Sequence, residues 1–153
     1  MKRFLDLDDL STSRLEAVLE RARDLERRPV STALAGRTVG LVFLNPSLRT
    51  LASMEAGVSQ LGGATFVITP GQGSWQLETE DGVVMDGAAA EHVREAIPVL
   101  AQYADALGVR CFARGADLAE DLADRVIRKM AALCPVPFLN LEPAIAHPCQ
   151  ALA

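Results

Sequence analysis

The chain has 153 residues, 50% of them hydrophobic and 23% charged, the make-up of one globular domain. This excludes general disorder, and no apolar run approaches the ~20 residues needed to span a bilayer. Fifteen basic against twenty acidic residues give a net charge of −5, which disfavours a broad nucleic-acid surface but leaves room for a local basic pocket.

The first residues, Met1-Lys2-Arg3, carry a basic pair without the apolar core of a signal peptide. An amphipathic helix is predicted over Ser11–Arg28, with Leu15, Val18, Leu19, Ala22 and Leu25 at helical spacing. Ser11, or a Ser13/Glu16 capping box, would start it and Pro29 would end it. Thr38–Leu44 is almost wholly apolar and suits a strand buried on both faces. Asn45-Pro46-Ser47 interrupts it, and helical spacing resumes from about Thr50 to Leu61, where Gly62-Gly63 stops it. Ala64–Thr69 reads as a second strand. Pro70–Ala90 has no clear periodicity, and connections of that length are usually functional or mobile. A helix over Glu91–Tyr103 (with Pro98 as a misfit), a strand over Ala104–Val109, a helix over Asp117–Leu133 and a strand over Val136–Leu141 follow. His147 opens a last helix, and the sequence stops at Ala153.

Strands alternating with helices predict an α/β fold of three layers, a parallel sheet with helices on both faces. In such sheets ligands bind beyond the carboxyl ends of the strands. Three polar clusters fall there. Asn45-Pro46-Ser47-Leu48-Arg49-Thr50 follows a strand and opens a helix, where free N–H groups and the helix dipole attract anions and an arginine can grip phosphate. An ordinary capped turn with a solvated Arg49 fits the same pattern. Arg110 ends the third strand, either as an anion ligand or as a charge marking the strand's exit from the core. His147-Pro148-Cys149-Gln150 follows the fourth strand and could hydrogen-bond a carbonyl compound, or could be a capping His with a buried Cys. Trp75, alone in a glycine-rich loop, either anchors that loop or covers a ligand or another subunit. His92 at a helix start reads as a cap or a surface residue rather than a catalytic one. Cys111, Cys134 and Cys149 are odd in number and form no CxxC pair, which disfavours a disulfide framework or a zinc ribbon and fits a reducing compartment. One His and one Cys do not make a metal site.

Taken together, these motifs resemble the carbamoyl-phosphate-binding half of a carbamoyltransferase, in family order and spacing along essentially the whole chain. Trp75, Leu77-Glu78-Thr79-Glu80 and Val84-Met85-Asp86-Gly87 resemble the branch acting on N-acylated ornithine. The stretch from Trp75 to Arg114 is similar to the succinyl type. Ala90 stands where the acetyl type typically has Glu and the succinyl type Pro. The resemblance implies an aspartate/ornithine carbamoyltransferase-like N-terminal domain over residues 1–146. Residues 147–153 would begin an inter-domain helix, with the ornithine-binding domain absent from this chain.

The same resemblance assigns roles. Ser47, Leu48, Arg49 and Thr50 would hold the phosphate of carbamoyl phosphate. Arg110 and His147, with Thr50, would polarise its carbonyl, and Gln150 would orient its amino group. Trp75, Ala90 and Glu142 would meet the N-acylated ornithine. It further implies a cytoplasmic homotrimer with shared sites serving arginine biosynthesis, no metal or organic cofactor, no nucleic acid and no membrane. This chain alone is expected not to turn over. An ordinary ornithine carbamoyltransferase domain and a non-catalytic binding or assembly module are the other readings. One position departs from the family, which usually has a second Arg where this chain has Leu51.

Overall fold

The computed structural model describes residues 2–28, 31–113, 115 and 117–152. The expected helix stop at Pro29, the limit of the succinyl-like stretch at Arg114 and the chain ends at Met1 and Ala153 lie outside the described residues.

The buried runs found in the sequence become the centre of one parallel sheet. Strands β1 (Arg3–Phe4), β2 (Thr38–Phe43), β3 (Ala64–Ile68), β6 (Ala106–Arg110) and β7 (Phe138–Glu142) lie in the order β1-β7-β6-β2-β3. The main helices are α1 (Thr12–Arg27), α2 (Leu48–Gln60), α3 (Val93–Leu100) and α5 (Arg125–Leu133). Alternation along β2 decides which face each residue serves. Val39, Leu41 and Phe43 join Val58 of α2 and Leu141 on one side. On the other, Val42 joins Val93 and Ile97 of α3 and Ile127 and Met130 of α5. The sheet is therefore covered on both faces, as expected of parallel strands.

The chain goes from β2 outward to β3 and then returns to β6 on the other side of β2. The direction of winding reverses between β2 and β6, and an open sheet of this kind forms its ligand crevice at the carboxyl ends there. At the opposite ends of the same two strands, Asp105 accepts from the Thr38 N–H at 2.9 Å and from Arg37 at 2.6 Å. The Thr38 amide first, then Arg37, holds that carboxyl below the ordinary range.

Several local expectations change. The first strand, β1, is only two residues long and had no signal of its own. It is held from outside, by the Phe138 N–H donating to the Lys2 carbonyl at 2.8 Å and by Asn140 Nδ2 donating to the Leu5 carbonyl at 2.6 Å. Ser11 stands at the N-cap of α1 but makes no capping bond; its hydroxyl lies 3.1 Å from that of Ser13. The segment read as aperiodic contains β4 (Gln76–Glu78), which pairs in parallel with β5 (Ala89–His92). Glu91 and His92 thus belong to a strand, and α3 starts at Val93, with His92 Nδ1 accepting from the Arg94 N–H at 3.0 Å. Asp81, in the loop between β4 and β5, bonds Lys129 and Arg94, each at 2.9 Å. Lys129 first, then Arg94, holds its carboxyl low.

The helix expected over Asp117–Leu133 is broken into α4 (Leu118–Leu122) and α5. The break is at Asp124, which adopts φ 48° and accepts from the Ala144 N–H at 2.9 Å. A tertiary bond here outweighs helix continuity. Burial pushes the Asp124 carboxyl up. A raised acid favours folding below its ordinary value and loses that contribution as pH rises through the folded value. Asp124→Asn keeps the acceptor, tolerates the left-handed backbone and removes the charge. It should raise stability at pH 7 by about 0.5 kcal/mol, a small value because the water that reaches the carboxylate screens it. Urea unfolding at pH 7 and below pH ~4 checks this, since the gain should vanish in acid.

Candidate functional site

The carboxyl end of β2 leads through Asn45-Pro46 to Ser47, whose Oγ accepts from the Thr50 N–H at 3.2 Å and caps α2. That leaves the Leu48 and Arg49 N–H groups at the mouth of a 13-residue helix, with the positive end of its dipole. Arg49 and the Leu48 side chain are exposed. Removing the cap with Ser47→Ala should cost about 1 kcal/mol, measured by urea unfolding.

Arg110 ends β6 and is buried, only 7% exposed. Its Nη1 donates to Thr50 Oγ1 at 3.0 Å and to Glu142 Oε2 in a short ion pair. Its Nε–H has no hydrogen-bond partner among the described residues, and its guanidinium lies over the Phe112 ring, 4.3 Å from the centroid. The partner choice comes from a register event. Along β6 and β7, Gly108 opposes Leu139 and Val109 opposes Asn140, but Arg110 opposes Glu142 because the register shifts there. The shift leaves Leu141 to the apolar cluster and aligns Glu142 with the arginine.

His147 is the N-cap of the short α6 (Pro148–Ala151), with Nδ1 accepting from the Gln150 N–H at 3.2 Å. In the neutral ring that puts the proton on Nε2, which faces Glu142 Oε2 at 3.6 Å. The structure thus joins Ser47, Thr50, Arg110, Glu142 and His147 across the ends of β2, β6 and β7. Gln150 enters through its backbone, and its side chain is exposed. No hydrogen bond or ion pair among the described residues connects Trp75 or Ala90 to this group. Instead, Trp75 directly precedes β4 and Ala90 lies in β5. Trp75 is 67% exposed, so it is not packed as an anchor.

Phe112 was not singled out in the sequence, and Asn45 only as the start of the Asn45–Thr50 cluster, with no role of its own. Phe112 covers the arginine, and Asn45 Oδ1 accepts from the Phe112 N–H at 2.7 Å, fixing that ring's backbone to the end of β2. The Asn-Pro pair after a buried strand was the available signal for Asn45. Cys149 Sγ points at the Asn140 carbonyl at 4.0 Å, and burial pushes its thiol up, which argues against a nucleophile. A cavity of about 460 Å³ adjoins Cys111 and Phe112, but Asp117, Glu120, Asp121 and Asp124 outnumber Arg125 and Lys129 in its wall. The wall of that cavity is thus predominantly acidic, whereas the α2–Arg110 cluster offers N–H donors and a guanidinium.

Residues 2–153 match the family model described as the carbamoyl-P binding domain of aspartate/ornithine carbamoyltransferase. The chain belongs to this family. It is 42% identical over its whole length to N-acetylornithine carbamoyltransferase from Xanthomonas campestris pv. campestris, covering 45% of that protein. It is 36% identical to N-succinylornithine carbamoyltransferase from Bacteroides thetaiotaomicron, covering all of this chain and 48% of that protein. An ornithine carbamoyltransferase from Parafrankia sp. is 37% identical over 99% of this chain and 43% of its own length. The carbamoyltransferase domain superposes on a crystal structure of an N-acetyl-L-ornithine transcarbamylase variant complexed with carbamyl phosphate and N-succinyl-L-norvaline. That match has a TM-score of 0.94 and 42% identity, over 99% of this chain and 46% of the other. The chain thus spans about half the length of the relatives it matches. Among its described residues no helix is long and apolar enough to cross a membrane.

Proposed function

We propose that this chain is the carbamoyl-phosphate-binding half of a carbamoyltransferase that acts on the side-chain amine of an N-acylated ornithine. The observation that carries the reading is the buried Arg110 guanidinium beside the N-terminus of α2, bonded to Thr50 Oγ1, with His147 facing the Glu142 carboxylate that pairs with it. The Leu48 and Arg49 N–H groups, Ser47, Thr50 and the Arg49 side chain hold the phosphate. Arg110 and His147 Nε2–H donate to the carbamoyl oxygen, whose charge grows as the amine attacks the carbonyl carbon. Gln150 orients the carbamoyl amino group. The C–O bond to phosphate breaks, phosphate leaves with the electron pair, and the attacking nitrogen loses a proton.

The remainder of the substrate site is also a proposal. Glu142, Trp75 and Ala90 would face the acylated ornithine, with Trp75 reaching a neighbouring protomer of a trimer; its exposure supports a role in contact with something other than its own domain. A relative's variant in which a glutamate is replaced by alanine was crystallised with N-succinyl-L-norvaline (TM-score 0.95, 43% identity). Ala90 lies where the family resemblance puts the acyl-discriminating residue, and a small side chain there is compatible with the larger acyl group. Residues 147–153 would lead into a second, ornithine-binding domain, and a cytoplasmic role in arginine biosynthesis follows from the same reading. Leu51, in place of the family's second Arg, packs against the Val39–Leu41–Phe43 cluster, so it adds to the core what it withholds from the anion site.

Calorimetric titration of the chain with carbamoyl phosphate tests the reading, with one site per chain expected and inorganic phosphate competing. Light scattering should give a mass near three chains. Assayed alone with N-succinylornithine, N-acetylornithine and ornithine, the chain is expected to form no product. Absence of any carbamoyl-phosphate binding would overturn the assignment in favour of an assembly module.

A further inference from the structure

The geometry points to Glu142 as an internal occupant of the anion site, a carboxylate that an incoming phosphoryl compound must displace from Arg110. This rests on reading the cluster as the carbamoyl-phosphate site, and it adds what controls the site's occupancy. The Arg110 side chain is 9% exposed and that of Glu142 30% exposed. The same Nη1 serves Thr50 Oγ1 and Glu142 Oε2, while the Nε–H is left without a partner among the described residues. A buried guanidinium with an idle N–H is an unfinished site, since buried donors are nearly always satisfied. Carboxylate and phosphate oxygens compete for the same donors of an arginine fork. They do not share it easily, because a phosphate dianion beside the carboxylate brings like charges into contact.

The register shift is what installs the competitor. Without it, Arg110 would lie opposite Leu141, and the guanidinium would have no counter-ion from β7. The partial exposure of Glu142 gives the carboxylate room to leave. His147 Nε2, 3.6 Å from the same oxygen, offers a donor on the side it would move to. Glu142 therefore has two opposed effects. It neutralises the buried arginine whenever no anion is bound, and it lowers the affinity of the site for anions.

The opposition in sign makes the test specific. Glu142→Gln and Glu142→Ala are titrated with inorganic phosphate and with carbamoyl phosphate at low ionic strength, beside the native chain. Both variants should melt below the native chain without ligand, yet bind phosphate about tenfold tighter and gain more in Tm from the same phosphate concentration. A merely structural role would lower stability and affinity together. If Glu142→Gln is folded, as judged by its circular dichroism, and binds phosphate equally or more weakly, the inference is overturned. Should both variants fail to fold, the 13C resonance of the native Glu142 carboxyl decides. Movement in proportion to phosphate saturation supports displacement, and a resonance that stays put while phosphate binds refutes it. Failure of the native chain and of both variants to bind either anion overturns the site reading, and with it the role of Glu142.

Discussion

Arg110→Met is expected to lower carbamoyl-phosphate affinity by about a hundredfold or more. Charge-assisted hydrogen bonds contribute roughly 1.5–3 kcal/mol each, and the substitution removes the fork that would make at least two of them, one from the Nε–H that has no partner among the described residues. Two such bonds correspond to about 3–6 kcal/mol, hence a hundredfold or more. The methionine keeps an unbranched apolar stem, so the loss is one of charge and donors more than of volume. Stability should also fall, because Glu142 and Thr50 Oγ1 lose their partner. Breaking a fully buried pair costs roughly 3–5 kcal/mol. Glu142 is part-exposed and recovers water, so about 2 kcal/mol is the expected loss. Arg110→Lys should restore the charge without the planar fork and recover only part of the affinity. Calorimetry and urea unfolding on both variants check the two effects separately. Binding by Arg110→Met within a few-fold of native would remove Arg110 from the site.

What could be read in the sequence divides along chain separation. Thr38–Leu44 and Val136–Leu141 were legible because a strand buried on both faces writes an unbroken apolar run. Ser47, His92 and His147 were legible as caps because capping is decided within three residues. The convergence of Ser47, Arg110 and His147 was legible only as three strand ends, one for each β–α unit. The Arg110–Glu142 pair was not legible: it spans 32 positions and depends on a one-residue shift between neighbouring strands. The family resemblance assigns Glu142 to the ornithine-side substrate alone. Asp124 shows the same limit on a helix, since the periodicity of residues 117–133 runs unbroken while a hydrogen bond from Ala144 ends one helix and begins another. The β4–β5 pair, three and four residues long, is stabilised by Asp81 reaching Lys129 and Arg94, residues of two other elements.

Gly40→Val is expected to remove most of the domain's stability, although no ligand role attaches to Gly40. The residue is buried in β2, between β3 and β6, on the strand that delivers Asn45–Thr50 to the site. A Cβ there would lie 2.6 Å from Leu107 Cδ2 and 2.6 Å from Phe66 Cζ. Real Cβ atoms do not approach that closely, so a side chain must move. Phe66 is part-buried on the edge strand and has room to tilt, whereas Leu107 is fully buried among α3, α5 and β7. Gly40→Ala should therefore cost about 1–3 kcal/mol, the usual range for an overfilled core. Valine adds two more methyl groups against the same leucine, so its cost should consume most of the stability of a domain this size, ~5–15 kcal/mol. The mechanism is checked by a double-mutant cycle. Leu107→Ala alone should destabilise by about 2–5 kcal/mol through its cavity. Combined with Gly40→Ala it should cost clearly less than the sum, because each change fills or empties the same space. Strict additivity in urea unfolding would show that the contact does not set the cost. In Gly40→Ala, any shift of β2 passes to Ser47 and Thr50, so carbamoyl-phosphate affinity should fall as well, which would make the glycine a packing requirement of the site rather than of the core alone.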